Sequence, residues 1–145
     1  MIGLLQRVSS ARVDVAGREV AAIGAGLLVL VGVQRDDTEA QAERLLERLL
    51  GYRVFADAQG RMNLGLRDTG GGLLLVPQFT LAADTKKGTR AGFSTAAEPA
   101  RARELFAHLL RQAQAAWPRT AAGEFGADMK VSLVNEGPVT FWLEA

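Results

Sequence analysis

The stretch from Ile23 to Val33 constrains this chain more than any other, because it is the longest apolar run in the sequence. Glycines interrupt it, and it is about half of the ~20 residues that a membrane-spanning helix requires. Its second part, Leu27 to Val33, reads as a short continuous apolar segment, the pattern of a β-strand covered on both faces. A strand buried on both faces needs layers above and below it. The rest of the 145-residue chain must supply them, and its length corresponds to one domain, residues 1–145.

The segments around that strand predict a mixed α/β fold. Met1 to Ser10 is rich in Ile, Leu and Val, Arg12 to Val15 alternates, and Ala16 to Glu19 is a turn before Val20 to Ile23. Thr38 and Gln41 match a capping box. Ala42, Leu45, Leu46, Leu49 and Leu50 then recur at helical spacing up to Gly51. Tyr52 to Phe55 and Met62 to Leu64 read as short strands around a turn at Asp57 to Gly60. Gly70 to Gly72 is a loop, and Leu73 to Val76 a buried strand ending at Pro77. Residues 82–95 have no period and predict a long loop. A second helix starts near Glu98 with Pro99 at its first position, and buries Ala102, Leu105, Phe106, Leu109, Ala113 and Ala116. Residues 119–127 are expected to be irregular. Met129 to Val134 and Val139 to Leu143 read as two strands of a hairpin turning at Asn135 to Pro138. These segments add up to one α/β domain.

Composition narrows the chemistry. With no cysteine, a disulfide framework, a thiolate nucleophile and Cys-based metal sites are excluded. A single histidine, His108, leaves no His-rich metal cluster. No metal site and no cofactor are expected. His108 falls ~110° from the centre of its helix's apolar stripe, which predicts a surface position on the helix shoulder. Net charge is +1, from 17 basic and 16 acidic residues, so nucleic acid would be met by a local patch. No membrane segment is expected, and no long apolar region with a cleavage site follows the N-terminus, so the chain is expected to be cytoplasmic.

Four groups of residues carry candidate chemistry. Pro77-Gln78-Phe79-Thr80-Leu81 lies where a buried strand runs into a long loop, a place that presents polar groups on a rigid edge. Gln78 donates and accepts, Thr80 offers a hydroxyl, and the Phe79 and Thr80 amides suit a developing oxyanion. A plain strand end capped by the threonine hydroxyl fits the same residues. Asn135 to Thr140 reads as a hairpin turn in which glycine and proline are commonplace. Lys86, Lys87 and Arg90 suit phosphate, or form a solvated loop. Phe125 and Met129 suit a platform for a base, or core packing.

These residues also carry a family pattern. Met1-Ile2-Gly3-Leu4-Leu5-Gln6-Arg7-Val8, Gly26 to Val33, Met62-Asn63-Leu64, Gln78 to Thr85 and Asn135 to Thr140 occur in order and at family spacing. From Met1 to its C-terminus the chain resembles the D-aminoacyl-tRNA deacylases. The resemblance implies a homodimeric hydrolase that removes D-amino acids, and glycine, wrongly esterified to tRNA. It also implies a compact domain of layered, barrel-like β-sheets with the two main helices packed on one side. It implies active sites at the subunit interface, with Gln78, Phe79 and Thr80 lining the reaction centre. Gly137 and Pro138 would form a cis dipeptide entering the partner subunit's pocket, held by Arg7, while Phe125 and Met129 would receive the terminal adenosine. The family's first motif usually begins with Ser, and here that position is Pro77.

An activated ester can be cleaved by orienting its carbonyl beside amides and admitting water. Phe79 and Thr80 amides, assisted by the substrate's ribose 2′-OH, are the expected agents. Thr80 as a nucleophile has no visible base in the sequence. The competing readings are a non-catalytic RNA-end-binding homodimer, using the Lys86 to Arg90 loop and Phe125, and a structural homodimer.

Overall fold

The computed structural model describes residues Met1–Ala145. β1 (Ile2–Val15), β2 (Arg18–Ile23) and β3 (Gly26–Gly32) precede α1 (Glu39–Gly51). β4 (Phe55–Ala56), β5 (Met62–Leu64), the short α2 (Leu66–Thr69) and β6 (Gly72–Pro77) follow. A 3-10 turn at Phe79–Ala82 leads through a long loop to α3 (Pro99–Ala116), β7 (Thr120–Ala122) and β8 (Met129–Glu144). The main sheet runs β2-β1-β3-β6-β7, with β8 on the other edge of β1. β1 is antiparallel to β2, β3 and β8, whereas β3–β6 and β6–β7 are parallel.

Alternation along the strands separates two apolar layers. Leu5, Leu27, Val29, Leu73 and Leu75 face α1 and α3. Val8, Val13, Leu28, Leu74 and Val76 face the other way, toward residues of β2, β7 and β8, because the sheet curls on itself into a barrel-like shell. Gly72 sits at that closure, where an added Cβ would lie 2.9 Å from the Ile23 side chain. Both faces of β3 are thus covered, as the apolar run from Leu27 requires.

α1 buries the five expected residues. At about 1.5–3 kcal/mol per large side chain, four leucines of this stripe outweigh any helix-propensity term. Gln41 Oε1 accepts from the Thr38 N–H at 2.9 Å and from the Thr38 hydroxyl at 2.6 Å. In α3, Pro99 occupies the first turn and Ala102, Leu105, Phe106, Leu109 and Ala113 are buried. Ala116 is exposed, because the last turn runs past the sheet.

Several expectations are corrected. His108 is buried, 9% exposed, with Nε2 3.2 Å from Glu43 Oε1 and Nδ1 3.8 Å from Glu39 Oε1. The helix shoulder is where α1 packs, so contact between two helices widens the buried arc beyond the apolar stripe. Residues 119–127 are not wholly irregular, since Thr120–Ala122 pairs with Leu73–Leu75. Of Tyr52 to Phe55 only Phe55 is strand, and Gly72 belongs to β6. The turn after Val15 shrinks to Ala16-Gly17, both at positive φ, the geometry of a two-residue hairpin. At the β4–β5 turn, Asp57 accepts from the Arg61 N–H, the Asn63 side-chain amide and the Gln59 N–H. These bonds hold its carboxyl below the usual range.

Candidate active site

β6 delivers the first motif. Its last ladder bond runs from the Gln78 N–H to the Val31 carbonyl at 2.8 Å. Pro77 lies opposite Val31 in register. In a parallel strand successive N–H groups alternate between edges, so the missing Pro77 donor faces the β7 side. There the ladder has already ended, with the Gly123 N–H on the Leu75 carbonyl. Proline at this position therefore leaves the sheet unbroken.

Beyond Gln78 the chain tightens into the Phe79–Ala82 turn, closed by Leu81 N–H to Gln78 O and Ala83 N–H to Thr80 O. Phe79 and Thr80 are its first residues, so the turn itself leaves their amides without partners. The Gln78 side-chain amide donates to Thr80 Oγ1 at 2.5 Å. Gln78 is half-buried, while Phe79 is 60% exposed and its ring lies 5.2 Å from that of Phe93.

The second motif is not a hairpin. β8 pairs with β1 along its whole length, with Gln6 opposite Thr140 and Val8 opposite Asn135. Residues 136–139 are therefore extruded from one continuous strand as a large bulge. Pro138 has no N–H to give a ladder, and Asn135 closes the gap behind it. Its side chain donates to Thr140 Oγ1 at 2.9 Å and accepts from the Val139 N–H at 2.7 Å. Asn135 is a positioning residue that sequence alone assigns only to a turn. The signal that could have found it is the spacing of an Asn and a Thr flanking Gly-Pro.

Arg7 holds the bulge from β1. Nε donates to the Glu136 carbonyl at 2.8 Å and Nη1 to the Val54 carbonyl at 2.5 Å. The Gly137–Pro138 peptide is cis, and Gly137 has φ +141°. A Cβ there would lie 2.7 Å from Val139 Cγ2 and 3.1 Å from an Arg7 nitrogen, so only glycine fits.

Within one chain the two motifs stay apart. Arg7 pairs with Leu27, whereas Gln78 bonds to Val31, four residues further along β3. β8 and β6 are also separated by β1 and β3. Strand rise and spacing then put Gly137 and Gln78 on the order of 20 Å apart.

Met129 flanks the first motif. Its sulfur lies against Gly123, where an added Cβ would be 2.8 Å from Sδ and 3.5 Å from Pro77 Cδ. Phe125 is half-buried, 6.2 Å from the Phe106 ring, with the Arg103 guanidinium 4.8 Å from its centroid. Lys86, Lys87 and Arg90 are all exposed on the loop after the 3-10 turn. Asp84 accepts from the Lys86 N–H at 3.0 Å and forms a bridge with Gly92 that ties the loop's two ends. A cavity of about 400 Å³ between this loop and β8 is lined by Leu81, Lys86 and Trp142 among others. No helix is long and apolar enough to cross a membrane.

The chain is similar to several known proteins along its whole length. A D-aminoacyl-tRNA deacylase of Thioalkalivibrio sulfidiphilus (strain HL-EbGR7) is 68% identical over 144 residues, covering 99% of this chain and 97% of that protein. One from Alkalilimnicola ehrlichii is 64% identical over 145 residues, covering 100% and 97%. A solved structure described as a c-Myc DNA unwinding element binding protein superposes with TM-score 0.95 at 34% identity, covering 100% of this chain and 99% of its own. A probable eukaryotic D-amino acid tRNA deacylase shares the fold, with TM-score 0.89 at 17% identity over 99% and 98%. The family model described as D-Tyr-tRNA(Tyr) deacylase matches residues 4–144. With that match and these relatives, the chain belongs to the D-Tyr-tRNA(Tyr) deacylase family of hydrolases.

Proposed function

We propose that residues 1–145 act as one deacylase domain that cleaves the ester of D-aminoacyl-tRNA, and of glycyl-tRNA, in the cytoplasm. The products are a free amino acid and an uncharged tRNA 3′ end. Water adds to the ester carbonyl carbon, the bond to the ribose oxygen breaks, and the proton from water ends on that oxygen. The Phe79 and Thr80 amides stabilise the oxyanion, and the ribose 2′-OH of the substrate assists the water. The Gln78–Thr80 hydrogen bond favours this reading, because it holds the threonine oxygen as an acceptor and brings no base to it. The reaction uses neither metal nor cofactor.

Selection follows from a homodimer in which each Gly137-Pro138 enters the other subunit's site. An enzyme clearing many D-amino acids reads configuration at the α-carbon, so a rigid backbone wedge on the L side suffices. Glycine has no side chain for the wedge to exclude. The observation that carries the reading is the Arg7-braced bulge, exposed and far from its own chain's Gln78. The outer edge of β8 and the exposed Val134 and Trp142 give a second copy apolar surface to cover.

The test is deacylation by chelator-treated protein of D-, L- and glycyl-tRNA, with sedimentation for the assembly. Hydrolysis of the D and glycyl substrates by a dimer, with the L ester intact, is expected. Binding without turnover would return the chain to an RNA-end-binding homodimer.

A further inference from the structure

Phe125 has a cation over its ring. Arg103 reaches it from the exposed face of α3, 4.8 Å from the guanidinium carbon to the centroid. The turn beneath lies against it: a Cβ on Gly126 would sit at ordinary contact distance, 3.4 Å from an Arg103 nitrogen. The salt bridges of the chain are Met1–Asp37, Arg12–Asp14, Arg101–Glu104 and those of His108, so Arg103 has no carboxylate partner. Arg101, two residues earlier, is committed to Glu104 at 3.2 Å. An aromatic face accepts no fork of directed hydrogen bonds, so the five guanidinium donors remain available for an oxyanion.

The geometry points to Arg103 as the residue that binds the phosphate of the 3′-terminal nucleotide of the RNA substrate. This inference rests on the reading of Phe125 as the residue that receives the terminal adenosine. In the free protein the guanidinium stacks on Phe125. When adenine takes the ring face, the arginine swings by one sugar's length to the phosphate attached to that nucleoside. Arginine suits both positions, because its planar fork stacks on rings and pairs with phosphate.

The experiment assays Arg103→Gln, Arg103→Lys and Phe125→Ala on two substrates, D-aminoacyl-tRNA and D-aminoacyl-adenosine, which carries no phosphate. Arg103→Gln is expected to raise KM for the tRNA by about ten-fold with kcat little changed. It should also flatten the salt dependence of binding by about 0.7 of a log unit per log unit, the share of one single-strand phosphate. With aminoacyl-adenosine it should bind at least as well as the unsubstituted protein, because the cation that adenine displaces from the ring is gone. Arg103→Lys keeps the charge and should recover most of the KM. Phe125→Ala should weaken both substrates. If Phe125→Ala does so while Arg103→Gln leaves the tRNA KM and salt slope unchanged, the arginine inference is wrong and the adenosine reading stands. If Phe125→Ala spares aminoacyl-adenosine, the adenosine reading fails and this one with it. Equal loss on both substrates from Arg103→Gln, with a lowered Tm, would make Arg103 a packing residue only.

Discussion

Arg7 and Glu136 stand 129 residues apart in the chain and meet at 2.8 Å, Nε donating to the main-chain carbonyl. The same guanidinium reaches the Val54 carbonyl, so one half-buried side chain ties the extruded segment of β8 to the end of the α1 layer. Arg7→Ala removes both bonds and leaves two carbonyls to water, at a cost of about 1–2 kcal/mol. The larger effect is expected on selectivity. A loosened Gly137-Pro138 wedge should raise hydrolysis of L-aminoacyl-tRNA relative to the D ester, measured as the ratio of the two kcat/KM values. A ratio unchanged in a folded Arg7→Ala protein would disconnect Arg7 from chiral selection.

Thr80→Val keeps the shape at the mouth of β6 and deletes the acceptor of the Gln78 amide. Both groups reach solvent, so stability should change little. If the amides carry the chemistry, the rate should fall by less than the ~10²–10³ typical of losing an oxyanion donor. Abolished turnover, or an acyl-enzyme trapped on the unsubstituted protein, would make Thr80 the nucleophile instead.

Much of this arrangement is legible in the chain. Leu27 to Val33 requires cover on both faces, and α1, α3 with its start at Pro99, and the long loop after Leu81 follow from periodicity and its absence, whereas the single turn of α2 is too short to show a period. The bulge at Asn135 is not legible. Gly-Pro between two apolar runs looks the same whether the second run turns back or continues along the same partner. Only the pairing of both runs with β1 separates the two. His108 escapes its expected place for a related reason. A helical wheel knows its own apolar stripe but not the Glu39 and Glu43 side chains that a neighbouring helix brings to the imidazole.

Lys86, Lys87 and Arg90 gather three charges on one exposed loop in a chain whose net charge is +1. Their replacement by Gln is expected to weaken tRNA binding and reduce the salt slope by about 0.7 for each phosphate that is no longer neutralised. Hydrolysis at saturating substrate should change little, since the charges lie beyond the Phe79–Ala82 turn. A slope identical to that of the unsubstituted protein would assign the three residues to solvent.

The separation of the two motifs gives the most direct test of the shared site. Gly137 and Gln78 of one chain lie on the order of 20 Å apart by strand geometry, too far for one copy to join them. The chain contains no cysteine, so introduced thiols react without background. Phe79→Cys and Glu136→Cys in the same chain place one thiol on an exposed ring position and one on the bulge itself. A short bis-maleimide should then link two subunits and yield a covalent dimer on a denaturing gel. Each single substitution should give less, because its like thiols sit in different pockets. Adding an excess of a non-hydrolysable D-aminoacyl-adenosine should slow the cross-link, since the ligand fills the space between the two positions. Cross-linking that stays within single chains, or that the ligand does not slow, would show that Gly137-Pro138 does not enter the neighbouring site.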